Sequence, residues 1–348
     1  MKNFTTLLML LFSLITFGQT GGEHAFPFLS IDYNARTAAL GRHYLAAPDN
    51  DVNMGVFNPA GLNSEMHNTI GFNQALHAGG INHGMVAYAR NIKDHGTGSV
   101  HMRYVAYGEM DRTNVQGEVI GTFSAGDFVL GAGFGKELNP RIRVGGNVNF
   151  IWSQLESFSS MGMSIDLSGN YISADERTVV TAIVRNAGLQ FTRYHDQQEE
   201  KAPLHTNPMI SFSHKLKHAP FRLGIVAHHL NQWDLTYENP NLQPTVDPLS
   251  GETIPVPTAG FGEKLARHFL VQLEVLAGDV LSIRAAFDYN RRRSFLVPNR
   301  PGMAGFSVGA GLKFKRFSVD YGLMVFSSAG FNNLFTLTTN FDKWKRKG

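Results

Sequence analysis

Residues 334–341 read LFTLTTNF, and the alternation in that stretch constrains the fold more than any other feature of the chain. Phe335, Leu337, Thr339 and Phe341 fall on one face of an extended strand, and Leu334, Thr336, Thr338 and Asn340 fall on the other. Successive side chains of a strand point to opposite faces, so one face is mainly apolar and the other mainly polar. The pattern recurs. Val100, Met102, Tyr104 and Ala106 oppose Ser99, His101 and Arg103. Val148, Phe150 and Trp152 oppose Asn147, Asn149 and Ser153, and Ile283, Ala285 and Phe287 oppose Ser282, Arg284 and Asp288. The apolar faces carry no charge. A soluble sheet buries such a face against a second layer, whereas a transmembrane barrel turns it to lipid and keeps the polar face in the lumen.

Strand length and loop length favour the barrel. The alternation resolves into about fourteen strands from Asn68 to Phe341, most of about 9–12 residues, which is the length a tilted strand needs to cross a bilayer. Tight connections near Asp94, Asn139, Ala174, Lys217, Asp279 and Lys315 alternate with a second set at 77–81, 108–125, 155–160, 188–207, 232–266, 291–303 and 327–333. Most of the second set are longer. An even strand count with tight turns on one side and longer loops on the other is the outer-membrane layout, with the tight turns on the periplasmic side. A soluble β-sandwich has no reason to segregate loop lengths. The prediction is therefore all-β: an antiparallel transmembrane β-barrel of about 14 strands with an N-terminal plug.

The rest of the chain divides around that barrel. Lys2 followed by the apolar run Leu7–Phe17 and Gly18 reads as a secretory signal over residues 1–18, too short to span a bilayer as a helix. Residues 19–66 lack strand alternation and read as a plug. The barrel spans 67–341, and 342–348 (DKWKRKG) is a basic periplasmic tail with Trp344 as an interfacial anchor. Export through the signal and an outer-membrane location are expected. The largest outer loop carries Pro240, Pro244, Pro248, Pro255 and Pro257, which exclude a regular helix.

Composition narrows the chemistry. Cysteine is absent, which removes disulfide, zinc-thiolate and iron–sulfur chemistry. A net charge of +3 gives no case for nucleic acid. The mean hydropathy of −0.14 does not oppose a barrel, because inward polar residues cancel outward apolar ones. Gly305-Phe306-Ser307-Val308-Gly309 matches the hydrolase nucleophile elbow, but the alternation continues through it where that motif needs a strand-to-helix turn. No P-loop and no Ser-x-x-Lys occurs. The fourteen histidines show no clustered triad, and His228 and His229, as strand neighbours, would point to opposite faces. A non-enzyme without cofactor or metal is expected.

Two candidate sites remain. Phe57, Asn58, Pro59, Ala60, Gly61 and Leu62 form a sharp Asn-Pro turn just before the first strand, placed to fold into the periplasmic mouth. Inward charges of both signs, Arg103, Arg143, Asp166, Arg185, Arg284 and Asp288, could hold such a plug. Arg291, Arg292 and Arg293 sit where a strand emerges on the outer side. They read either as a solvated strand end or as a contact for lipopolysaccharide (LPS) or an acidic partner.

These residues resemble a known family. The carrying pieces are Ala25–Leu29 (AFPFL), Ala35–Gly41 (ARTAALG), Asp51–Leu62 (DVNMGVFNPAGL), Gly121–Asp127 (GTFSAGD), Lys215–Arg222 (KLKHAPFR), Arg291–Arg293 and Gly305–Gly311. Together they look like FadL-type outer-membrane barrels, and within them the PorV/PorQ group of the type IX secretion system, with GTFSAGD and KLKHAPFR leaning to the PorQ side. The resemblance implies a non-enzymatic anchor of the surface attachment complex that holds a PorZ-like partner at the outer membrane, with PorU and PorV in the same complex. The alternative from the same family is a FadL-like channel for hydrophobic small molecules.

Overall fold

The computed structural model describes residues 24–43, 46–77, 80–195, 201–237, 244–246, 250, 253–254, 258–296, 302–327 and 330–344. The expected signal region, Pro240, Pro248, Pro255, Pro257 and the basic residues after Trp344 lie outside them.

Fourteen antiparallel strands close into a barrel in which each pairs with its sequence neighbours. They are β1 (Thr69–Leu76), β2 (Asn82–Asn91), β3 (Thr97–Thr113), β4 (Val119–Asn139), β5 (Ile142–Leu155), β6 (Phe158–Ile172) and β7 (Thr178–Gln190). The circuit continues through β8 (Asn207–Lys215), β9 (Phe221–Ala227), β10 (Phe269–Ala277), β11 (Leu281–Asp288), β12 (Phe306–Lys313), β13 (Phe317–Ser327) and β14 (Gly330–Asn340). β14 returns to pair with β1, Thr69 opposite Asn340 and Leu76 opposite Asn333, so the sheet has no edge.

The expected alternation sets the facing. Val148, Phe150 and Trp152 are exposed on the outside of β5, while Asn147, Asn149 and Ser153 are buried inside. Phe335 and Leu337 face out of β14, and Leu334 and Thr336 face in. At the tight-turn end Phe314 lies 4.7 Å from Phe317, and Arg316 stands 4.9 Å over the Trp344 ring.

Loop lengths differ from the expectation at three places. Residues 108–125 and 155–160 are not loops: β3 and β4 stay paired out to Thr113 and Val119, and β5 and β6 to Leu155 and Phe158. Likewise β13 and β14 stay paired to Ser327 and Gly330. Nothing ends the alternation there, so pairing continues past the apolar belt. β3 and β4 reach 17 and 21 residues, well beyond the expected length, whereas β9 has 7. The long connections are 191–206, 228–268 and 289–305, all at the same end. Two short helices lie within them, α3 (Phe261–Ala266) and α4 (Tyr289–Ser294).

The N-terminal segment lies inside the barrel. It carries α1 (Ala35–Ala39), capped by Asn34, and α2 (Val52–Phe57), capped by Asp51. Helices this short are unstable alone, and here every residue of both is buried. Phe26, Phe28, Leu29, Tyr33, Val52, Val56, Phe57 and Leu62 form one apolar cluster with the inward Met85, Val105, Val129 and Ile151. Glycines admit the backbone of the segment. A Cβ on Gly322 would stand 2.2 Å from the Ala35 carbonyl oxygen, and one on Gly309 would stand 2.5 Å from the Ala39 Cβ.

Candidate functional site

The Asn-Pro turn sits against β4, β5 and β6. Asn58 caps the 3-10 turn Pro59–Gly61, accepting from the Ala60 N–H at 3.2 Å, and donates to Asn170 at 3.0 Å. Ala60 N–H also donates to Ser168 at 2.8 Å. A Cβ on Gly145 would lie 2.3 Å from the Pro59 carbonyl carbon, and one on Gly135 would lie 2.4 Å from its oxygen. Pro59 fixes its own φ, and the strand glycines supply the room, so turn and wall fit as a pair.

Charge in the lumen converges on Glu274 of β10, which is completely buried. Arg36 of α1 reaches it at 3.0 Å, Arg222 of β9 at 2.8 Å and Arg284 of β11 at 2.9 Å. Asp49 pairs with Arg36 at 2.5 Å and Asp320 with Arg284 at 2.5 Å. Of the expected inward charges, only Arg284 belongs to this network. Arg103 stands 5.6 Å over the Tyr33 ring, and Arg185 stands 5.0 Å over the Phe57 ring. Both meet the N-terminal segment through aromatic faces. Arg143 pairs with Glu137 at 3.1 Å, on the neighbouring strand. Asp166 accepts from Asn149 at 2.9 Å and from the Asn186 N–H at 2.7 Å. Asp288 caps α4. The alternation of FLVQLEVLA marks Glu274 as inward, but Arg36 and Asp49 lie in sequence without a strand period.

A second polar system ties the segment to the barrel's closing strands. Asn34 donates to Asn73 of β1 at 3.0 Å and to Thr336 of β14 at 3.3 Å. Asn53 accepts from Asn73 at 2.7 Å and donates to Thr338 at 3.0 Å.

Two cavities open at the end with the long connections. One, of about 500 Å³, is lined by Arg42, His43, Arg185, His205, His228 and His229 among others. The other, of about 290 Å³, lies between the N-terminal segment and the wall and is lined by Phe28, Ile31, Ile81, Val105 and Met324, and also by the polar Asp32, His77, His83 and Asn332. Burial lowers the proton affinity of four histidines around the larger cavity: His205 and His228 fall to about 4, and His43 and His229 fall well below 6.5, with neighbouring imidazoles adding to the effect at His43 and His229.

Two expectations change here. Arg291, Arg292 and Arg293 do not share a surface, because α4 turns them apart. Arg291 is buried 3.6 Å from Asp288, Arg292 donates to the Gly302 carbonyl at 2.8 Å, and Arg293 pairs with Glu263 at 2.8 Å. His228 and His229 do not diverge either. They follow the end of β9, and His229 has a positive φ of 55°, which brings their Nδ1 atoms within 2.6 Å. No group of three metal-ligating side chains occurs among the described residues. Ser307 is buried in β12, 3.5 Å from an Arg291 guanidinium nitrogen, in uninterrupted strand.

No family model matches the chain, and no curated protein matches it by sequence. Solved structures do. The toluene transporter TodX of Pseudomonas putida aligns over 89% of this chain and 98% of its own at a TM-score of 0.54 and 11% identity. The toluene transporter TbuX of Ralstonia pickettii aligns over 91% of this chain and 100% of its own at a TM-score of 0.52 and 10% identity. The fold is that of a closed fourteen-strand antiparallel outer-membrane β-barrel.

Proposed function

We propose that the chain is an outer-membrane channel of FadL type for small hydrophobic molecules, held closed by its N-terminal segment. The observation that carries this reading is the cavity of about 290 Å³ lined by Phe28, Ile31, Ile81, Val105 and Met324. Its lining surface is mainly apolar, and one wall belongs to the inserted segment. Binding sites for apolar ligands are concave and lined in this way. Two barrels of the same fold, TodX and TbuX, are toluene transporters. The outward belt supports an outer-membrane location. The test is uptake of labelled toluene by cells whose outer membrane lacks other channels. Ile31→Arg, which fills the cavity with a cation, should abolish uptake while the barrel still runs faster on gels unboiled than boiled. Uptake equal in wild type, variant and empty vector would overturn the channel.

A second reading is favoured by a different observation. The long connections 191–206, 228–268 and 289–305 stand together at one end, and 228–268 exposes Trp233, Tyr237 and Phe261. A stable interface needs about 800 Å² per partner, which tight turns do not offer. On this reading the closed barrel is a PorQ-type anchor. It holds a PorZ-like surface protein in the type IX attachment complex, beside PorU and PorV, with LPS around it. Shortening 238–258 to a Gly/Ser turn should leave the barrel folded and release that partner from outer membranes. Undiminished co-purification would sink this reading, whatever the toluene result.

A further inference from the structure

The larger cavity is unlike the apolar one, and its lining has a chemistry that neither proposed role uses. Arg42, Arg185 and Arg291 all border it. Two of the three have a carboxylate nearby: Asp32 stands 3.5 Å from Arg42, and Asp288 stands 3.6 Å from Arg291. Arg185 has none within ion-pair distance among the described residues; its charge rests over the Phe57 ring at 5.0 Å. The cavity therefore carries more fixed positive charge than its own carboxylates balance.

Unmet hydrogen-bonding atoms gather at the same place. Arg185 Nε, His43 Nδ1 and His228 Nε2 are all buried without a partner, and His228 is only 1% exposed. Buried polar atoms are rarely left unpaired, and a cluster of them around one volume marks a missing partner. The imidazoles come from separate parts of the chain. His43 stacks on His228 at 4.5 Å, and His229 lies 4.9 Å from His205. Each neutral ring can donate one N–H, and each guanidinium offers a planar fork suited to oxyanions.

We propose that this vestibule binds a phosphate-class oxyanion, either free phosphate or a phosphorylated lipid headgroup. Donors approach from the N-terminal segment, from β7, from the turn after β9 and from α4, so they surround the volume. A carboxylate has two oxygens in one plane and can face only some of them. A tetrahedral phosphate presents oxygens in every direction and carries the charge that Arg185 lacks. A volume of about 500 Å³ leaves room for a substituent on the phosphate. The assignment stands independently of both functional readings above.

The test is calorimetric titration of the full-length chain in zwitterionic detergent with inorganic phosphate, acetate, and micelles doped with diphosphorylated lipid A. Phosphate should bind and acetate should not. Arg185→Gln should weaken phosphate binding by about tenfold or more, the loss expected for one charge-assisted hydrogen bond. Arg185→Lys should keep part of the affinity, since the charge remains and the fork is lost. Arg177→Gln, in a tight turn at the opposite end, should change nothing. If Arg185→Gln does not fold, Arg42→Gln takes its place in the comparison. Binding of doped micelles without binding of free phosphate identifies the lipid headgroup as the source. No binding of either, equal binding of acetate, or equal affinity in wild type and the arginine variants would overturn the proposal.

Discussion

Replacing Glu274 by Gln would leave Arg36, Arg222 and Arg284 converging on a group that no longer carries charge. Breaking a buried ion network by removing one partner costs about 3–5 kcal/mol, mostly because the remaining charges are stranded out of water. One of the three arginines belongs to the N-terminal segment, so the cost falls on keeping that segment seated. We expect Glu274→Gln to lower the urea midpoint of the purified barrel and to raise entry of small antibiotics into cells; an unchanged midpoint and unchanged entry would show that the network does not hold the segment. On the outer face, Val148→Arg places a cation near mid-membrane at a cost of about 2–4 kcal/mol, read as lost folded yield. Its inward neighbour is no roomier for charge. Asn147 is 1% exposed and donates to the Val56 carbonyl at 2.6 Å, so Arg there would meet the N-terminal segment. Alternation alone assigns Asn147 to a polar lumen. It cannot show that the lumen is full, because the filling residues come from sequence that has no period.

At the scale of the element, the turn that follows β9 and the segment around His43 are held by imidazoles that favour the neutral form. The folded values, about 4 for His205 and His228, lie below the ordinary 6.5. Unfolding or opening therefore takes up protons between those values. The contribution of these rings to stability is complete above about pH 6.5 and is lost as the pH falls toward about 4. An imidazole NMR titration should give midpoints well below 6.5 for both residues, and a midpoint at the ordinary value would mean that these rings are solvated. The strands were legible from period-two alternation wherever one face meets lipid. The histidine gathering was not, because it depends on the left-handed turn at His229 and on contacts between segments far apart in the chain. The extended β3–β4 hairpin is hidden in the sequence for a related reason: beyond the belt both faces meet water, and the alternation of polarity fades although the pairing persists.

For the whole molecule, an uncharged belt on a closed fourteen-strand sheet predicts recovery in the outer-membrane fraction, resistance to extraction by salt, and faster migration on gels before boiling than after. Recovery in soluble periplasm without detergent would overturn the membrane reading. The barrel and its side-to-side asymmetry could be anticipated because lipid imposes one rule on every strand. That residues 19–66 fill the barrel could be anticipated from their lack of alternation; the apolar character of the contact could not, because Met85, Val105, Val129 and Ile151 break the polar-inward rule to meet Phe28, Tyr33, Val56 and Phe57.

The hydrogen bonds of Asn34 and Asn53 have a bearing on the order in which the chain assembles. Those two side chains touch the first strand and the last one at once, through Asn73, Thr336 and Thr338. Joining β1 to β14 brings together residues almost the whole chain apart, the slowest kind of contact to form. A segment already resting on β1 would present half of a prepared dock to the incoming β14. A segment in place by then is enclosed as the cylinder closes. The beginning of the chain thus acts as a latch for its end, and the moment of closure is also the moment at which the interior is sealed.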